Sequence, residues 1–269
     1  MAQNKQRLDL LLVERGLFPS REQARAAIMA GEVLVDDMKI DKAGTAVKES
    51  CSIRLLGEKL PFVSRGGLKL AKAIESFHLD LSEKCVLDIG ASTGGFIDCA
   101  LQNGAAKVYG VDVGYNQLAW KLRNDPRVIS LEKTNARYLD RSIIDEDVDL
   151  ITADVSFISL TLALPAAIQH QLKAEGAIAV LIKPQFEAGR EAVGKGGVVR
   201  DKEAHRAVLK RILSACLQWG LSVQGLDYSP ITGADGNIEY LLYAVKSSLP
   251  PAEIDIDQII EEAWSAHKA

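Results

Sequence analysis

The stretch CVLDIGASTGGF, which runs from Cys85 to Phe96, constrains the fold of this chain more than any other part of the sequence. An apolar run of strand length ends in a glycine-rich turn, and the turn leads directly into the helical pattern FIDCALQNG. Gly90 and Gly94 permit positive φ and a close approach of the backbone to a ligand, which the first N–H groups of the helix also face. Asp88 needs a partner inside the apolar strand, and the loop amides are the nearest donors. The stretch therefore predicts a strand, a nucleotide-binding loop and a helix.

Three kinds of ligand loop match part of this stretch. The dinucleotide pattern G-x-G-x-x-G fails, because Ser92 stands where the second glycine is required. The hydrolase pattern G-x-S-x-G is matched from Gly90 to Gly94, but it needs a late histidine in a loop, and His205 falls in a helical pattern while His267 falls in the tail. The pattern D-x-G-x-x-x-G resembles the loop of S-adenosylmethionine (SAM)-dependent methyltransferases, where the carboxylate and amine of the ligand replace a pyrophosphate. A glycine turn without a ligand stays open as an alternative.

From Cys85 onward, β and α patterns alternate, which is typical of an α/β fold with a parallel sheet that is covered on both faces. The second, fourth and fifth strand patterns end at Asp112, Asp154 and Lys183. Stretches such as NQLAWKLRN and SLTLALPAAIQHQL are predicted as helices between them, and LSVQGLDYSP and IEYLLYAV as an antiparallel pair that closes the sheet. Ligands of such folds bind beyond the carboxyl ends of the strands, so side chains there are candidates for function.

Three side chains at strand ends are such candidates. Asp112 lies 22 positions after Gly90, a spacing at which a carboxylate can accept hydrogen bonds from both hydroxyls of a ribose. Asn135 follows the third strand, and its amide either pairs with an adenine edge or caps a turn. Lys183 directly follows the apolar run AIAVLI, where a poorly solvated lysine gives up its proton more readily and can act as a general base. A snorkelling, solvated lysine is the alternative.

The composition is that of a globular protein, since 48% of the 269 residues are hydrophobic and 25% are charged. The length suits one large and one small domain. A net charge of −4 argues against a uniformly basic nucleic-acid binder. Four scattered cysteines, no signal-peptide pattern and no apolar run of membrane-spanning length predict a cytoplasmic protein without disulfides or a zinc site.

The N-terminal part of the chain predicts two short helices followed by short β segments. Ser20 and Gln23 form a capping box for the second helix, on which Arg21 and Arg25 share an exposed face. The sequence RLDLLLVERGLFPSREQARAAIMAGEVLVDD, followed by KAGTAVK, is similar to the S-four-type RNA-binding domain, first known from ribosomal small-subunit protein four. The resemblance implies that Arg21, Arg25 and Lys39 contact RNA phosphates. A solvated face is the alternative for the two arginines.

The order of motifs along the whole chain is similar to that of the TlyA (haemolysin A) family: an S-four-type domain followed by SRGGLKL, DIGASTGGF, TADVSFISL and VLIKPQFE. The second part in turn resembles the FtsJ/RrmJ ribose methyltransferases. The resemblance runs from about Arg7 to Lys246 and implies SAM-dependent 2′-O-methylation of ribosomal RNA, with a cytidine as the target and without a metal. It implies an RNA-binding domain in residues 1–61 and a Rossmann-like methyltransferase domain in residues 62–269.

The resemblance also implies two sets of site residues. A catalytic Lys-Asp-Lys-Glu tetrad maps onto Lys69, Asp154, Lys183 and Glu239. In this interpretation Lys183 is the general base for the ribose 2′-hydroxyl, Asp154 and Lys69 set its charge state and orientation, and Glu239 holds Lys69 or the ribose. The residues implied to bind SAM are Asp88, Gly90, Ala91, Ser92, Thr93, Gly94, Gly95, Phe96, Asp112 and Asn135.

Two other functions stay open at this point. A non-catalytic RNA-binding or ribosome-assembly factor can keep the same fold, although the intact tetrad argues against it. The family name suggests a membrane-active haemolysin, but the sequence has no membrane span, and the acidic polar face of the C-terminal helical pattern does not suit anionic lipid. We therefore expect ribosomal RNA or a ribosomal subunit, and no membrane, as the partner.

Overall fold

The computed structural model describes residues 5–36, 38–56, 60–233 and 236–267. The chain divides into two compact units, Met1–Leu60 and Pro61–Ala269. Each unit buries its own set of apolar side chains. Among the helices of the described residues, none combines the length and the apolar composition that crossing a membrane requires.

The smaller unit combines two helices with short antiparallel strands. Its elements are β1 (Lys5–Arg7), α1 (Leu8–Glu14), α2 (Arg21–Met29), β2 (Val33–Val35), β3 (Met38–Lys39), β4 (Ala46–Lys48) and β5 (Ile53–Leu55). β1 pairs with β4, and β2 lies between β3 and β5. Ser20 Oγ accepts a hydrogen bond from the Gln23 N–H at the start of α2, and Gly31, with φ of 71°, follows its end. These are the start and stop signals that the sequence carries.

The larger unit is built around a seven-stranded sheet. Its strands are β6 (Cys85–Ile89), β7 (Lys107–Val111), β8 (Val128–Leu131), β9 (Val148–Ala153), β10 (Leu172–Ile182), β11 (Ser222–Tyr228) and β12 (Tyr240–Val245). Its helices are α3 (Gly66–Phe77), α4 (Gly95–Gln102), α5 (Trp120–Arg123), α6 (Leu160–Ala163), α7 (Pro165–His170), α8 (Pro184–Glu187), α9 (Lys202–Gln218) and α10 (Ile256–Ala266). Two 3₁₀ helices span Ala136–Tyr138 and Arg190–Ala192.

The strand order of the large sheet is β11-β12-β10-β9-β6-β7-β8. The strands from β10 to β8 in this order pair in parallel, and β12 pairs antiparallel with both β10 and β11. Val86 and Leu87, neighbours on β6, belong to different apolar clusters, so both faces of the sheet are covered. The predicted α/β fold is thereby confirmed. The chain order reverses between β6 and β9, where ligands of such sheets bind.

Two predicted helices are shorter in the structure. SLTLALPAAIQHQL forms α6 and α7 as separate helices, because Pro165 begins α7 and lacks the N–H that a continuous helix would need there. NQLAWKLRN contributes only the single turn of α5. Neither difference changes the order of the strands or the position of their carboxyl ends.

Candidate active site

A cavity of about 380 Å³ lies at the carboxyl ends of β6, β9 and β10. Its wall combines the loop after β6, the start of α3, the residues that follow β9 and β10, and a segment before β12. Of the residues predicted to bind SAM, those that line it are Asp88, Gly90, Ala91, Ser92, Thr93, Gly95 and Phe96. The cavity thus lies at the crevice where an open α/β sheet binds its ligand.

The loop after β6 needs its glycines because other parts of the chain approach it closely. Gly90 has φ of 85°, and a Cβ on this residue would lie 2.8 Å from the carbonyl oxygen of Asp154. Gly94 has φ of 92° immediately before α4, and a Cβ there would collide with the side chains of Leu118 and Leu122. Glycine therefore lets the loop fold tightly against the end of β9 while its backbone faces the cavity.

Asp88 gives the cavity a buried acidic group. Its Oδ1 accepts a hydrogen bond of 2.8 Å from the Thr152 hydroxyl, which corrects the expectation that loop amides would be its partners. Its Oδ2 is buried and has no hydrogen-bond partner among the described residues. Burial raises the pKa of Asp88 to about 7; the Thr152 hydroxyl opposes the rise, while Asp154 and Asp112 add to it. An amine on a ligand would supply the missing partner, so the residue fits the amino acid part of SAM.

Asp112 and Asn135 do not belong to the described lining of the cavity. Asp112 directly follows β7, and its carboxylate accepts the N–H of Ser92 at 2.8 Å and that of Gly114 at 2.7 Å. These bonds fix it beside the glycine loop and leave each oxygen a second lone pair for a ribose hydroxyl. Asn135 is exposed and caps a 3₁₀ helix, with its Oδ1 3.1 Å from the Arg137 nitrogen. In the structure, Asn135 therefore caps a turn, which is the alternative that the sequence left open.

The four predicted tetrad residues come together although they lie far apart in the sequence. Lys69 is in α3, Asp154 follows β9, Lys183 follows β10, and Glu239 precedes β12. Asp154 lies between the two lysines, with its Oδ2 3.1 Å from Lys69 Nζ and its Oδ1 2.6 Å from Lys183 Nζ. Lys69 Nζ is also 2.9 Å from Glu239 Oε2. The four side chains form one continuous ion-pair cluster beside the cavity.

The two lysines of this cluster have different surroundings. Burial disfavours the charge of Lys69, but the carboxylates of Asp154 and Glu239 outweigh it, and the pKa of Lys69 is raised. Burial likewise disfavours the charge of Asp154, but the two lysines outweigh it and lower the pKa of Asp154. Among the described residues, Lys183 pairs with only one carboxylate, and it donates its other hydrogen bond to Ser156 Oγ at 3.0 Å. Lys69 is thus held as an ammonium between two carboxylates, whereas Lys183 contacts one carboxylate and one hydroxyl.

The cavity wall also contains residues that sequence reasoning did not select. Ser64 and Arg65 precede α3, Ser156 contacts Lys183, and residues 231–233 come before β12. At Gly233 a side chain would collide with Glu239 Oε1, so this glycine makes room for the tetrad. Polar residues are common in loops, and only their position within the motifs SRGG and TADVSF could have drawn attention to Ser64, Arg65 and Ser156.

In the smaller unit, Arg25 and Lys39 are exposed, as residues that contact RNA must be. Arg21 has an additional contact, because its Nε lies 2.8 Å from Oδ2 of the fully buried Asp9. Arg7 reaches the same oxygen at 3.0 Å. The hydrogen bond from Arg7 lowers the pKa of Asp9; burial opposes this, and Arg21 adds to it. Arg21 therefore contributes to the stability of the unit, which a purely solvated side chain would not.

Comparison with protein families identifies both parts of the chain. Residues 62–246 match the family of FtsJ-like methyltransferases, and residues 6–50 match the S4 domain. YqxC of Bacillus subtilis, assigned as an rRNA methyltransferase, is 49% identical over 276 residues, with 100% of this chain and 97% of that protein covered. The 16S/23S rRNA (cytidine-2′-O)-methyltransferase TlyA of Mycobacterium tuberculosis is 44% identical, with 88% of each protein covered. Hemolysin A of Brachyspira hyodysenteriae is 41% identical, with 89% of this chain and 99% of that protein covered.

Solved structures agree with these matches. A protein from Streptococcus thermophilus assigned as a hemolysin superposes with a TM-score of 0.77 at 44% identity, and 98% of each chain is covered. A protein from Listeria monocytogenes assigned as a SAM-dependent methyltransferase has a TM-score of 0.50 at 16% identity, with 69% of this chain and 100% of that chain covered. The second comparison, at 16% identity, shows a shared fold alone.

Proposed function

This chain belongs to the FtsJ-like methyltransferase family, and we propose that it methylates the ribose 2′-hydroxyl of a cytidine in ribosomal RNA. The predictions of a methyltransferase and of SAM as its cofactor are confirmed by that membership. Support for the nucleotide and the RNA comes from two relatives, in Mycobacterium tuberculosis and Campylobacter jejuni, that are named rRNA (cytidine-2′-O)-methyltransferases. The S4 domain in the same chain supports an RNA substrate.

We assign the binding of SAM to the cavity beside the glycine loop. When bound there, SAM supplies a methyl group on a sulfonium, which an oxygen nucleophile can attack. The loop backbone from Gly90 to Phe96 would hold the cofactor, Asp88 Oδ2 would accept from its ammonium, and Asp112 would accept from its ribose hydroxyls. Asn135, the remaining residue of the predicted set, would donate from its amide nitrogen to the adenine edge, because its amide oxygen already accepts from the main-chain N–H of Arg137.

We assign the general base to Lys183. The two carboxylates around Lys69 keep that lysine charged, so it orients Asp154 and does not compete for the proton. Lys183 takes the proton of the ribose 2′-hydroxyl, and Asp154 stabilises the ammonium that forms at a distance of 2.6 Å. Proton transfer of this kind contributes about 10² to 10⁴ in rate, and alignment of the hydroxyl with the methyl group supplies a further part.

We propose that residues 1–61 bind the RNA and that residues 62–269 bind SAM and perform the chemistry. Arg21, Arg25 and Lys39 would contact phosphates, which position a duplex without specifying its sequence. Ribosomal RNA or a ribosomal subunit would be the partner, and the reaction would take place in the cytoplasm, where ribosomes assemble.

The observation that carries this proposal is the ion-pair cluster around Asp154 beside the glycine-loop cavity. It is tested by mass spectrometry of ribosomal RNA nucleosides from cells that have the protein, lack it, or carry Lys183→Ala. Lys210→Ala is a matched control, because it removes the same charge from an exposed position on α9. We expect 2′-O-methylcytidine with the native protein and with the control, and its loss in the other two strains. Equal amounts in all four strains would refute the activity, and RNA binding without methyl transfer would favour an assembly factor.

A further inference from the structure

A second buried carboxylate, Glu187, lies near the proposed site but outside the tetrad. Glu187 is only 4% exposed, so its carboxylate needs hydrogen-bond partners within the protein to offset the cost of burial. Glu187 Oε1 accepts the N–H of Leu160 at 2.7 Å. Glu187 Oε2 accepts from Ser159 Oγ at 2.7 Å and from Arg211 Nη2 at 2.6 Å. The same Arg211 nitrogen donates to the backbone carbonyl of Glu187 at 2.6 Å. Both oxygens are therefore satisfied, and the carboxylate is fixed in one orientation.

These contacts join the two segments that carry Asp154 and Lys183. Glu187 is the last residue of α8, the helix that begins directly after Lys183. Leu160 is the first residue of α6, and it lies six positions after Asp154. The segments 154–160 and 183–187 are thus tied at one end by the Asp154–Lys183 ion pair and at the other by Glu187.

A third contact lies between these two ends. The rings of Phe157 and Phe186 are 5.0 Å apart, so one residue of each segment also packs against the other. Arg211 joins the pair to α9, a helix of 17 residues. A displacement of α8 relative to α6 would move Lys183 relative to Asp154, because the chain between Lys183 and Glu187 is a single helical turn.

We propose that Glu187, held by Arg211, is a positioning residue that sets the distance between Lys183 Nζ and the Asp154 carboxylate. The proposal rests on the role of Lys183 in the proposed function. Glu187 does not touch the reacting atoms; it acts through Lys183. We refer to the contacts of Glu187 with Leu160, Ser159 and Arg211 as the clamp. A displacement of about 1 Å at a reacting group can lower a rate by about 10²-fold, so even a small loosening of the clamp has a measurable effect.

Glu187→Gln isolates the charge of this residue. The amide oxygen can still accept from the Leu160 N–H, and the amide nitrogen can donate to Ser159 Oγ. That nitrogen would then face the donor groups of Arg211, so the bond to the guanidinium is lost. Arg211→Ala removes the same bond from the other side, at a side chain that is 51% exposed and therefore tolerant of truncation. Arg211→Lys keeps a cation and should restore part of the activity.

The experiment measures the clamp and its consequence separately. Hydrogen exchange of the protein without RNA reports on the clamp: in Glu187→Gln and Arg211→Ala we expect faster exchange in residues 154–160 and 183–188 together, and no change in Lys210→Ala. Single-turnover methyl transfer to ribosomal RNA reports on the consequence. We expect it to fall about tenfold or more in Glu187→Gln and less in Arg211→Ala, with the SAM and RNA dissociation constants within about twofold.

The pH profile of the single-turnover rate separates positioning from general loosening of the fold. A positioning role predicts that the midpoint of this profile moves to lower pH in both variants. In each variant Lys183 would lie farther from the Asp154 carboxylate, and an ammonium that loses a neighbouring carboxylate gives up its proton more readily. A merely structural role leaves the midpoint in place. Unchanged exchange in both segments, or an unchanged rate and midpoint in Arg211→Ala, would overturn the proposal even where Glu187→Gln does not fold. If the native protein itself transferred no methyl group, the proposed function would fail, whereas the exchange data would still decide whether the clamp exists.

Discussion

The protonation of Asp88 should control the affinity for SAM. In the part of the chain that the structure describes, Asp88 Oδ2 has no hydrogen-bond partner, and burial raises the pKa of this carboxyl to about 7. SAM carries an α-ammonium that can pair with the carboxylate but not with the neutral acid. We therefore expect the dissociation constant to follow a single ionisation and to fall as the pH rises toward 7.

The magnitude follows from that pKa. If only the carboxylate form binds, the apparent dissociation constant is the limiting value multiplied by one plus ten to the power of pKa minus pH. With a pKa of about 7, this factor is about 33 at pH 5.5 and about 4 at pH 6.5, so the affinity should rise about eightfold over this single unit. Above pH 7 the α-amine of SAM begins to lose its own proton at about pH 7.7 to 8.0, so the acidic window is the informative one.

Titration calorimetry at pH 5.5, 6.0 and 6.5 is the assay, and Asp88→Asn is the matched variant. The asparagine keeps the size of the side chain and can still accept from Thr152, but it has no charge to titrate. We expect weaker binding that does not change over these three pH values. If the dissociation constant of SAM from the native protein changed less than twofold between pH 5.5 and pH 6.5, Asp88 would not pair with the α-ammonium of SAM.

The raised pKa of Asp88 also makes the free energy of unfolding depend on pH. The pKa of Asp88 is raised in the folded protein from its usual 3.8 to about 7, so between these values the folded state binds more protons than the unfolded state. The free energy of unfolding must then fall as the pH rises through this window, by about 2 to 3 kcal/mol between pH 5 and pH 8 from this group alone. Urea denaturation without SAM should show this loss in the native protein relative to Asp88→Asn.

Three further predictions concern other parts of the chain. Lys183→Ala should leave the SAM affinity within a few-fold and lower methyl transfer by about 10² or more, because this lysine contacts Asp154 and not the glycine loop; retained turnover would exclude it as the base. Arg25→Ala with Lys39→Ala should flatten the slope of log K against log salt for RNA binding by about one to two units, and Arg21 is left intact because it stabilises Asp9. Gly90→Ala should lower stability by about 1 to 3 kcal/mol and weaken SAM binding. Gly220 has a similar positive φ, but no described atom lies within 4 Å of a Cβ added there, so Gly220→Ala should affect stability alone; equal SAM affinities of the two variants would contradict this.

The sequence was sufficient to predict the sheet and the ends of its strands. Apolar runs of strand length separated by helical patterns leave few alternatives to a parallel sheet, and the functional side chains of such a sheet project from its carboxyl ends. Asp154 and Lys183 could therefore be selected as strand-end residues before their distance was known. Glu239 and Lys69 are not at such ends, and only the resemblance to a family indicated them.

The contacts that depend on register between distant strands could not be predicted. Thr152 becomes the partner of Asp88 only because β6 and β9 pair in a register that places these two residues side by side. Likewise, nothing in the local sequence links Glu187 to Leu160, which are 27 positions apart. Residue spacing carries information about one helix or one strand, whereas these contacts depend on how separate elements pack.

The charge balance of the ion-pair cluster is consistent with the general-base role that we propose for Lys183. With both lysines protonated, the charges of Lys69, Lys183, Asp154 and Glu239 sum to zero, which is the arrangement that burial tolerates best. With Lys183 neutral, the cluster carries one net negative charge, which a cation in the adjacent cavity would stabilise. The sulfonium of SAM would be such a cation, and it would become a neutral sulfide on giving up the methyl group. In the proposed reaction, the proton that Lys183 accepts would restore the neutral cluster, so neither the reactants nor the products would leave an uncompensated charge in the site.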